Sequence, residues 1–339
     1  MKHLTIIVPD GQSTLTSVSC ILGAYDIFTT ANQYWKEQGS HNGYREELFK
    51  IELAGVSKKA EFNNGMLTLK PQVNISAISQ THLIIIPSVI HQKAMKRNKL
   101  LAEWIAKQYK NGAEISSMCT GAFMLASAGL LDGRNCSTHW DAVEDFKTMF
   151  PKVVLQPDKL ITDENGIYTN GGGYSFLNLI IYLVEKYYDR QTAIYCSKIF
   201  QVELDRQSQS PFTIFAGQKS HLDEVVGKAQ AYIESKLNEK ISAKHLSAMF
   251  AVNRRNFDRR FIKATGNTPA EYLQRVKIEA AKKAFETTNK TISEVMYDVG
   301  YSDAKTFREV FRKITGMLPL EYRRKYNRDA MVNGTVTGR

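Results

Sequence analysis

A cysteine set among small residues opens the chemistry of this chain. Ser116-Ser117-Met118-Cys119-Thr120-Gly121-Ala122-Phe123 reads as a strand passing directly into a helix. Such a turn lifts the residue at its apex above the sheet edge, where the N-terminal field of the helix favours a thiolate. His139, in Thr138-His139-Trp140-Asp141, is then a candidate base or orienter. The run Thr169-Asn170-Gly171-Gly172-Gly173 is a candidate wrap of backbone donors at the next helix start. Cys119, Thr120, His139, Gly171 and Gly172 together make the candidate ligand pocket. Spacing leaves a second reading open, in which Cys119 is a small buried hydrophobe and His139 a helix-start residue after a Thr cap.

The second chemistry is cationic. From Leu222 onward Lys and Arg number 23 against 14 Asp and Glu, whereas residues 1–221 carry 22 against 20. A local positive field attracts phosphates, so the asymmetry points to a polyanion-binding module joined to a nearly neutral one. A helical bundle whose arginines only solubilise it is the bland alternative.

The basic module repeats itself at an offset of fifty residues. Phe257, Phe261, Lys263, Thr265, Gly266, Pro269, Glu271 and Tyr272 recur as Phe307, Phe311, Lys313, Thr315, Gly316, Pro319, Glu321 and Tyr322. Each copy reads as a short helix, a tight turn, a second helix ended by Gly and a further helix begun with Pro. Thr291-Ile292-Ser293-Glu294 is a capping box, and Ile292, Val295, Met296 and Val299 follow helical spacing up to Gly300. In the first copy Ile241, Leu246, Met249 and Phe250 precede the turn, and Phe257, Phe261 and Ile262 are expected to point inward. Between the copies, Leu273, Val276, Ala280 and Ala284 form the expected buried stripe of a long helix that packs on both units. Two helix-turn-helix units follow, with Arg254, Arg255, Arg259 and Arg260 of the first copy and Lys305, Arg308, Arg312 and Lys313 of the second free to face solvent or a ligand. Recognition helices held about 34 Å apart can enter successive major grooves of duplex DNA.

The N-terminal elements must position Cys119. Strand-like runs at 4–8, 49–54, 83–87 and 114–118 alternate with helix-like runs near 15–35, 100–109 and 122–128, which predicts a parallel α/β sheet covered on both faces. No G-x-G-x-x-G or G-K-[ST] loop appears, so nucleotides are not expected ligands. With 339 residues, 43% apolar and 23% charged, the chain fits two globular domains. No apolar run reaches the ~18–20 residues of a membrane span, and the start lacks a signal-peptide core. Cys20, Cys119, Cys136 and Cys196 form no C-x-x-C pair, which speaks against a zinc site or disulfide framework and for a reducing cytoplasm.

Residues 222–326 resemble the AraC/XylS family DNA-binding domain, carried by RRFIKATGNTPAEYLQRVKIEAAKKAF (259–285) and VGYSDAKTFREVFRKITGMLPLEYRR (299–324). The resemblance implies seven helices and transcriptional regulation. It puts Arg255, Asn256, Asp258 and Arg259 of the first recognition helix, and Asp303, Ala304, Lys305 and Arg308 of the second, on the bases. Asp258 and Ala304 depart from the polar contact types usual there. CTGAFMLASAGLLDGRNCSTHW (119–140) and TNGGGYSFLNLIIYLVEKY (169–187) resemble the ThiJ/PfpI, class I glutamine amidotransferase-like superfamily, and more closely its branch fused to AraC-type domains, the GlxA-type regulators. Enzymatic relatives complete the cysteine site with an acidic residue in the first loop or after the third strand. Neither Leu15-Thr16-Ser17-Val18-Ser19-Cys20-Ile21-Leu22-Gly23 nor Pro87-Ser88-Val89 supplies one.

The expected architecture is therefore a flavodoxin-like α/β domain with a parallel sheet (1–205, a sensor), a linker (206–221), an all-α domain with two helix-turn-helix motifs (222–328) and a flexible tail (329–339). The resemblance implies duplex DNA, a small amine or amino-acid-related effector, RNA polymerase and a second copy of the chain as partners, with no cofactor, metal or membrane. The alternative is a Cys-dependent hydrolase or hydratase with an accessory DNA tether, which turnover abolished by Cys119→Ala would favour. A purely architectural DNA binder leaves the N-terminal pocket without a role.

Overall fold

The computed structural model of the chain describes residues 1–10, 14–39, 45–89, 98–219, 221–239 and 241–327. They divide between two compact units, Met1–Gln209 and Ser210–Arg339. The expected tail at 329–339 lies outside the described residues.

The first unit runs β1 (Lys2–Ile7), α1 (Leu15–Gly39), β2 (Phe49–Gly55), β3 (Ala60–Phe62), β4 (Leu67–Leu69), β5 (Val73–Asn74), β6 (Leu83–Ile86), α2 (Lys99–Lys110), β7 (Glu114–Ser117), α3 (Ala122–Ser127), β8 (Asn135–Cys136), α4 (Val143–Met149), β9 (Val154–Leu155), β10 (Ile161–Glu164), β11 (Ile167–Asn170), α5 (Phe176–Tyr187) and α6 (Arg190–Ile199). Seven strands form the main sheet in the order β10-β11-β7-β6-β1-β2-β5. The period of two explains why β6, Leu83–Ile86, reads as an unbroken apolar run: both faces are covered. Leu83 and Ile85 enter the core with Phe28 of α1 and Leu179 of α5, while Ile84 and Ile86 enter the opposite core with Ile105 of α2 and Phe123 of α3. Within this sheet pairing is parallel except between β10 and β11, an antiparallel hairpin not anticipated from the strand pattern. Its turn is Asn165-Gly166, both residues at positive φ, the dipeptide best suited to a two-residue hairpin.

The second unit is helical: α7 (Glu224–Ser235), α8 (Ala243–Met249), α9 (Arg254–Thr265), α10 (Pro269–Thr287), α11 (Ile292–Asp298), α12 (Ala304–Thr315) and α13 (Pro319–Tyr326) are its helices among the described residues. The repeat has local causes. Thr265 and Thr315 donate their hydroxyls to Phe261 O and Phe311 O, each at 2.8 Å, and accept from Asn267 N and Met317 N, each at 3.2 Å. Gly266 and Gly316 then end α9 and α12 in the left-handed conformation, and Pro269 and Pro319 start the next helices. Tyr272 and Tyr322 donate across to Glu234 and Glu286.

Two cores result. Val226, Ile233, Leu246, Phe257, Phe261 and Tyr272 build the first, and Ile278, Phe285, Val295, Phe307, Phe311 and Tyr322 the second. α10 enters both, as its expected role requires, but with a different stripe. Tyr272, Ile278, Ala281 and Phe285 are the buried positions, whereas Leu273, Val276, Ala280 and Ala284 are half-buried at the margins. A helix wedged between two cores buries two partial faces instead of one continuous line. Met249 and Ile262 are also corrected, being 44% and 45% exposed. Ile262 follows buried Phe261 by one residue, and a 100° step takes it off the core face.

The two turns differ in one informative way. Gly300 has φ +73, and a Cβ there would lie 2.6 Å from both Leu237 O and Lys277 Nζ. Ala251, in the first turn, holds φ +52 with a side chain. A left-handed alanine is strained, so Ala251→Gly should stabilise the helical unit by about 0.5–1 kcal/mol after the entropy of glycine is charged against it. Urea unfolding of the two proteins checks this, and a lower midpoint for the glycine variant would contradict it.

Candidate functional site

Two sets of side chains are candidates, one in each unit. In the helical unit, Asn253 caps α9 by accepting from Arg255 N at 3.0 Å, which leaves the first helical turn pointing outward. Arg254, Arg255 and Arg259 are exposed, and Asn256 and Asp258 half-exposed. Asp258 does not stand free as a contact group, because both carboxylate oxygens receive Arg254 Nε at 2.9 and 2.8 Å. Asn256 Oδ1 likewise accepts from Arg259 Nη2 at 3.0 Å, aligning that guanidinium along the helix. Arg260 is tied inside the unit, donating from Nε and Nη2 to Asp223 at 2.7 and 2.6 Å. That guanidinium holds the Asp223 carboxyl below the usual carboxylate range.

The second helix-turn-helix repeats the design. Asp303 caps α12, accepting from Thr306 N at 2.7 Å and Thr306 Oγ1 at 2.6 Å. These donors, the hydroxyl first, lower its carboxyl from the ordinary value, so its charge is spent on the helix end. Ala304 is the first helical residue, exposed, and offers only a methyl group. Lys305, Arg308 and Arg312 are exposed at i, i+3 and i+7, on one face opposite buried Phe307 and Phe311. On α9 the same spacing brings together Arg255, half-exposed Asp258 and Ile262, with Arg259 one turn after Arg255. Ile262 is therefore an outward residue of this face that sequence periodicity had assigned to the core.

In the α/β unit Cys119 follows β7 at the start of the 3-10 turn Cys119–Gly121, which continues into α3. Its φ is +56 and it is buried. A non-glycine residue held there is a strained apex of the kind expected at a functional turn. Thr120 fastens the turn to the loop after β6, its Oγ1 donating to Val89 O at 2.6 Å and lying 2.8 Å from Ser88 Oγ. Thr138 Oγ1 donates to Cys119 O at 3.1 Å, bringing the His139 segment alongside. His139 caps the short turn Trp140–Ala142, its Nδ1 accepting from Asp141 N at 3.1 Å. Burial lowers its pKa, with Asp141 opposing, so the ring is neutral at pH 7 and its proton sits on Nε2. In that tautomer the basic nitrogen, Nδ1, is engaged by the Asp141 N–H instead of standing free toward a thiol.

The glycines close on these groups. A Cβ on Gly172 would lie 1.8 Å from His139 Cδ2, and one on Gly171 would lie 2.7 Å from Gln209 Cδ. Their N–H groups are not free donors as expected from the sequence: Gly171 N donates to Leu160 O at 2.8 Å and Gly172 N to Gln209 Oε1 at 3.1 Å. Two residues at this site carried no sequence signal. Gln209, buried, donates from Nε2 to Thr138 O at 2.9 Å and Pro157 O at 2.8 Å. Cys20 on α1 lies beside Cys119, and burial is the main cause pushing its thiol up to about 12. Ser116 Oγ, Ser117 Oγ and Asn170 Oδ1, at the ends of β7 and β11, are buried without a hydrogen-bond partner among the described residues. No group of three or more His, Cys, Asp or Glu suited to a metal occurs among the described residues, and no described helix is long and apolar enough to cross a membrane.

Residues 42–185 match the DJ-1/PfpI family and residues 246–325 match a helix-turn-helix domain family. The chain is 28% identical over 225 residues to the HTH-type transcriptional regulator GbdR of Pseudomonas aeruginosa, covering 65% of this chain and 60% of that protein. It is 25% identical over 219 residues to the HTH-type transcriptional regulator GlxA of Rhizobium meliloti, covering 63% and 66%. The matched stretches thus span less than two thirds of these relatives. A crystal structure of a candidate transcriptional regulator protein from Vibrio parahaemolyticus aligns with a TM-score of 0.50 at 21% identity, over 58% of this chain and 98% of that one, a likeness of fold. The chain thus joins an α/β unit that matches the DJ-1/PfpI family to a helical unit that matches a helix-turn-helix domain family.

Proposed function

We propose that the protein is a sequence-specific, duplex-DNA-binding transcription regulator whose α/β unit binds a small metabolite. The observation that carries this reading is the pair of capped recognition helices, each presenting cations away from a phenylalanine core. Arg255 and Arg259 are the proposed base readers of α9, with Arg254 oriented by Asp258 and Asn256 supporting Arg259. Lys305 and Arg308 are the readers of α12, Arg312 serves the backbone, Asp303 caps, and the Ala304 methyl suits a thymine methyl group. The pocket of Cys119, Thr120, His139, Gly171 and Gly172 binds its ligand without turnover. Nδ1 of His139 is engaged as an acceptor, and no carboxylate stands at 15–23 or 87–89. The effector belongs to the amine and amino-acid-related class, the working protein is a homodimer acting with RNA polymerase, and its place is the cytoplasm. Selection from random duplexes tests the reading: the full chain should enrich a motif with two recognised elements about ten base pairs apart. Failure to enrich any duplex would overturn it.

A further inference from the structure

The side chain of Gln209 is the last of the α/β unit, and the residue after it begins the helical unit. Its amide is a clamp on the candidate pocket. Oε1 accepts from Gly172 N, while Nε2 donates to the carbonyl of Thr138, the residue whose hydroxyl holds Cys119 O. The backbone on its N-terminal side is equally fixed: Leu160 N donates to Gln207 O, Ser208 bridges Lys159 in antiparallel fashion, and Gln209 N donates to Asp158 O. Pocket wall and chain junction therefore share one residue.

The residues after it belong to the helical unit. The 3-10 turn Ser210–Phe212 packs on α12, the second recognition helix. Pro211 O accepts from Tyr326 OH at 3.1 Å, and Thr213 O accepts from Lys282 Nζ at 2.5 Å. Phe215 N donates to Glu279 Oε2 at 3.2 Å, and its ring meets Tyr272 edge-on with centroids 5.3 Å apart. Lys282, Glu279 and Tyr272 all belong to α10, the helix shared by both helix-turn-helix cores. The segment 206–221, expected as a linker, is thus bonded into one unit up to Gln209 and into the other from Pro211 onward.

We infer that Gln209 is the positioning residue through which occupancy of the pocket is transmitted to the DNA-binding unit. A ligand that moves Gly172 or Thr138 must move the Gln209 amide, and the adjoining backbone delivers that displacement to segments fixed on α10 and α12. The inference rests on the proposed regulator function and specifies its route. Coupling is reciprocal, so bound DNA must in turn alter the pocket loops, and no effector is needed to see it.

The test uses the full chain, a duplex obtained by the selection above, and hydrogen exchange at 137–141 and 170–174. Duplex binding should change exchange there by about 5-fold or more in the unaltered protein, the lower end of ordinary coupling. In Gln209→Met the duplex should still be retained and the exchange change lost. Gln209→Glu is the second variant, keeping an acceptor for Gly172 N and losing the donors to Thr138 O and Pro157 O, and it should lose the response as well. Thermal melting confirms that the variant used is folded. A change in a folded variant as large as in the unaltered protein overturns the inference, as do pocket loops indifferent to bound duplex. Absence of any duplex retention by the unaltered protein is a different result, and it removes the regulator reading itself.

Discussion

Affinity of the full chain for its selected duplex should fall about 10³–10⁵-fold between 50 and 200 mM salt, if the outward cations neutralise about 6–10 phosphates. The exposed set of α9 and α12 comprises Arg254, Arg255, Arg259, Lys263, Lys305, Arg308, Arg312 and Lys313, which is enough for that number. Counterion release makes the slope of log affinity against log salt a count of neutralised phosphates. Arg254 contributes less than its exposure suggests, because Asp258 already neutralises it. Asp258→Asn should consequently steepen the slope, whereas Arg312→Ala should flatten it by about one unit. Fluorescence anisotropy titrations at four salt concentrations would measure both. A response flat over this range would mean that these arginines and lysines only keep the helical unit in solution.

Phe285→Ala should cost the helical unit about 3–5 kcal/mol, the usual consequence of emptying a fully buried aromatic site. Phe285 has no exposed surface and meets Phe311 edge-on, with ring centroids 5.7 Å apart at 69°. It also packs near Phe307, so one α10 side chain supports both core residues of the second recognition helix. The loss therefore reaches function: α12 loses its support and duplex retention should weaken with stability. Denaturant unfolding followed by far-UV circular dichroism gives the stability change. A cost below about 1 kcal/mol would show that the second core collapses around the gap, contrary to the close ring contacts of Phe285 with Phe307 and Phe311.

The parts of the fold legible from sequence are those whose residues act locally. Thr265, Gly266, Pro269 and Glu271 each serve a hydrogen bond or a backbone conformation within a few residues, and their recurrence fifty residues later reports a second unit. Strand β6 is legible because burial on both faces leaves Leu83–Ile86 apolar without interruption, and β1, β2 and β7 are legible as short apolar-rich runs broken by Thr5, by Lys50 and Glu52, and by Ser116 and Ser117. What was missed depends on partners far along the chain. β10 is a short edge strand with polar Thr162, Asp163 and Glu164, and only the Asn165-Gly166 turn betrays its hairpin. The stripe of α10 was displaced because two cores flank it. At the candidate pocket, the Thr138 hydroxyl ties the segment that carries His139 to the Cys119 carbonyl. Gln209 was hidden: a single polar residue in a polar segment has no period, and its meaning comes from Thr138, Pro157 and Gly172, distant in sequence.

The central claim is that two helix-turn-helix units dock in successive grooves of one duplex, and footprinting of paired variants tests it most directly. Arg255→Ala and Arg259→Ala should each cost about 1–3 kcal/mol of binding and remove protection at one element of the site. Lys305→Ala and Arg308→Ala should remove protection about ten base pairs away, one helical turn along the same face. Loss of protection at the same base pairs for both sets would contradict two-groove docking, as would unchanged protection in all four.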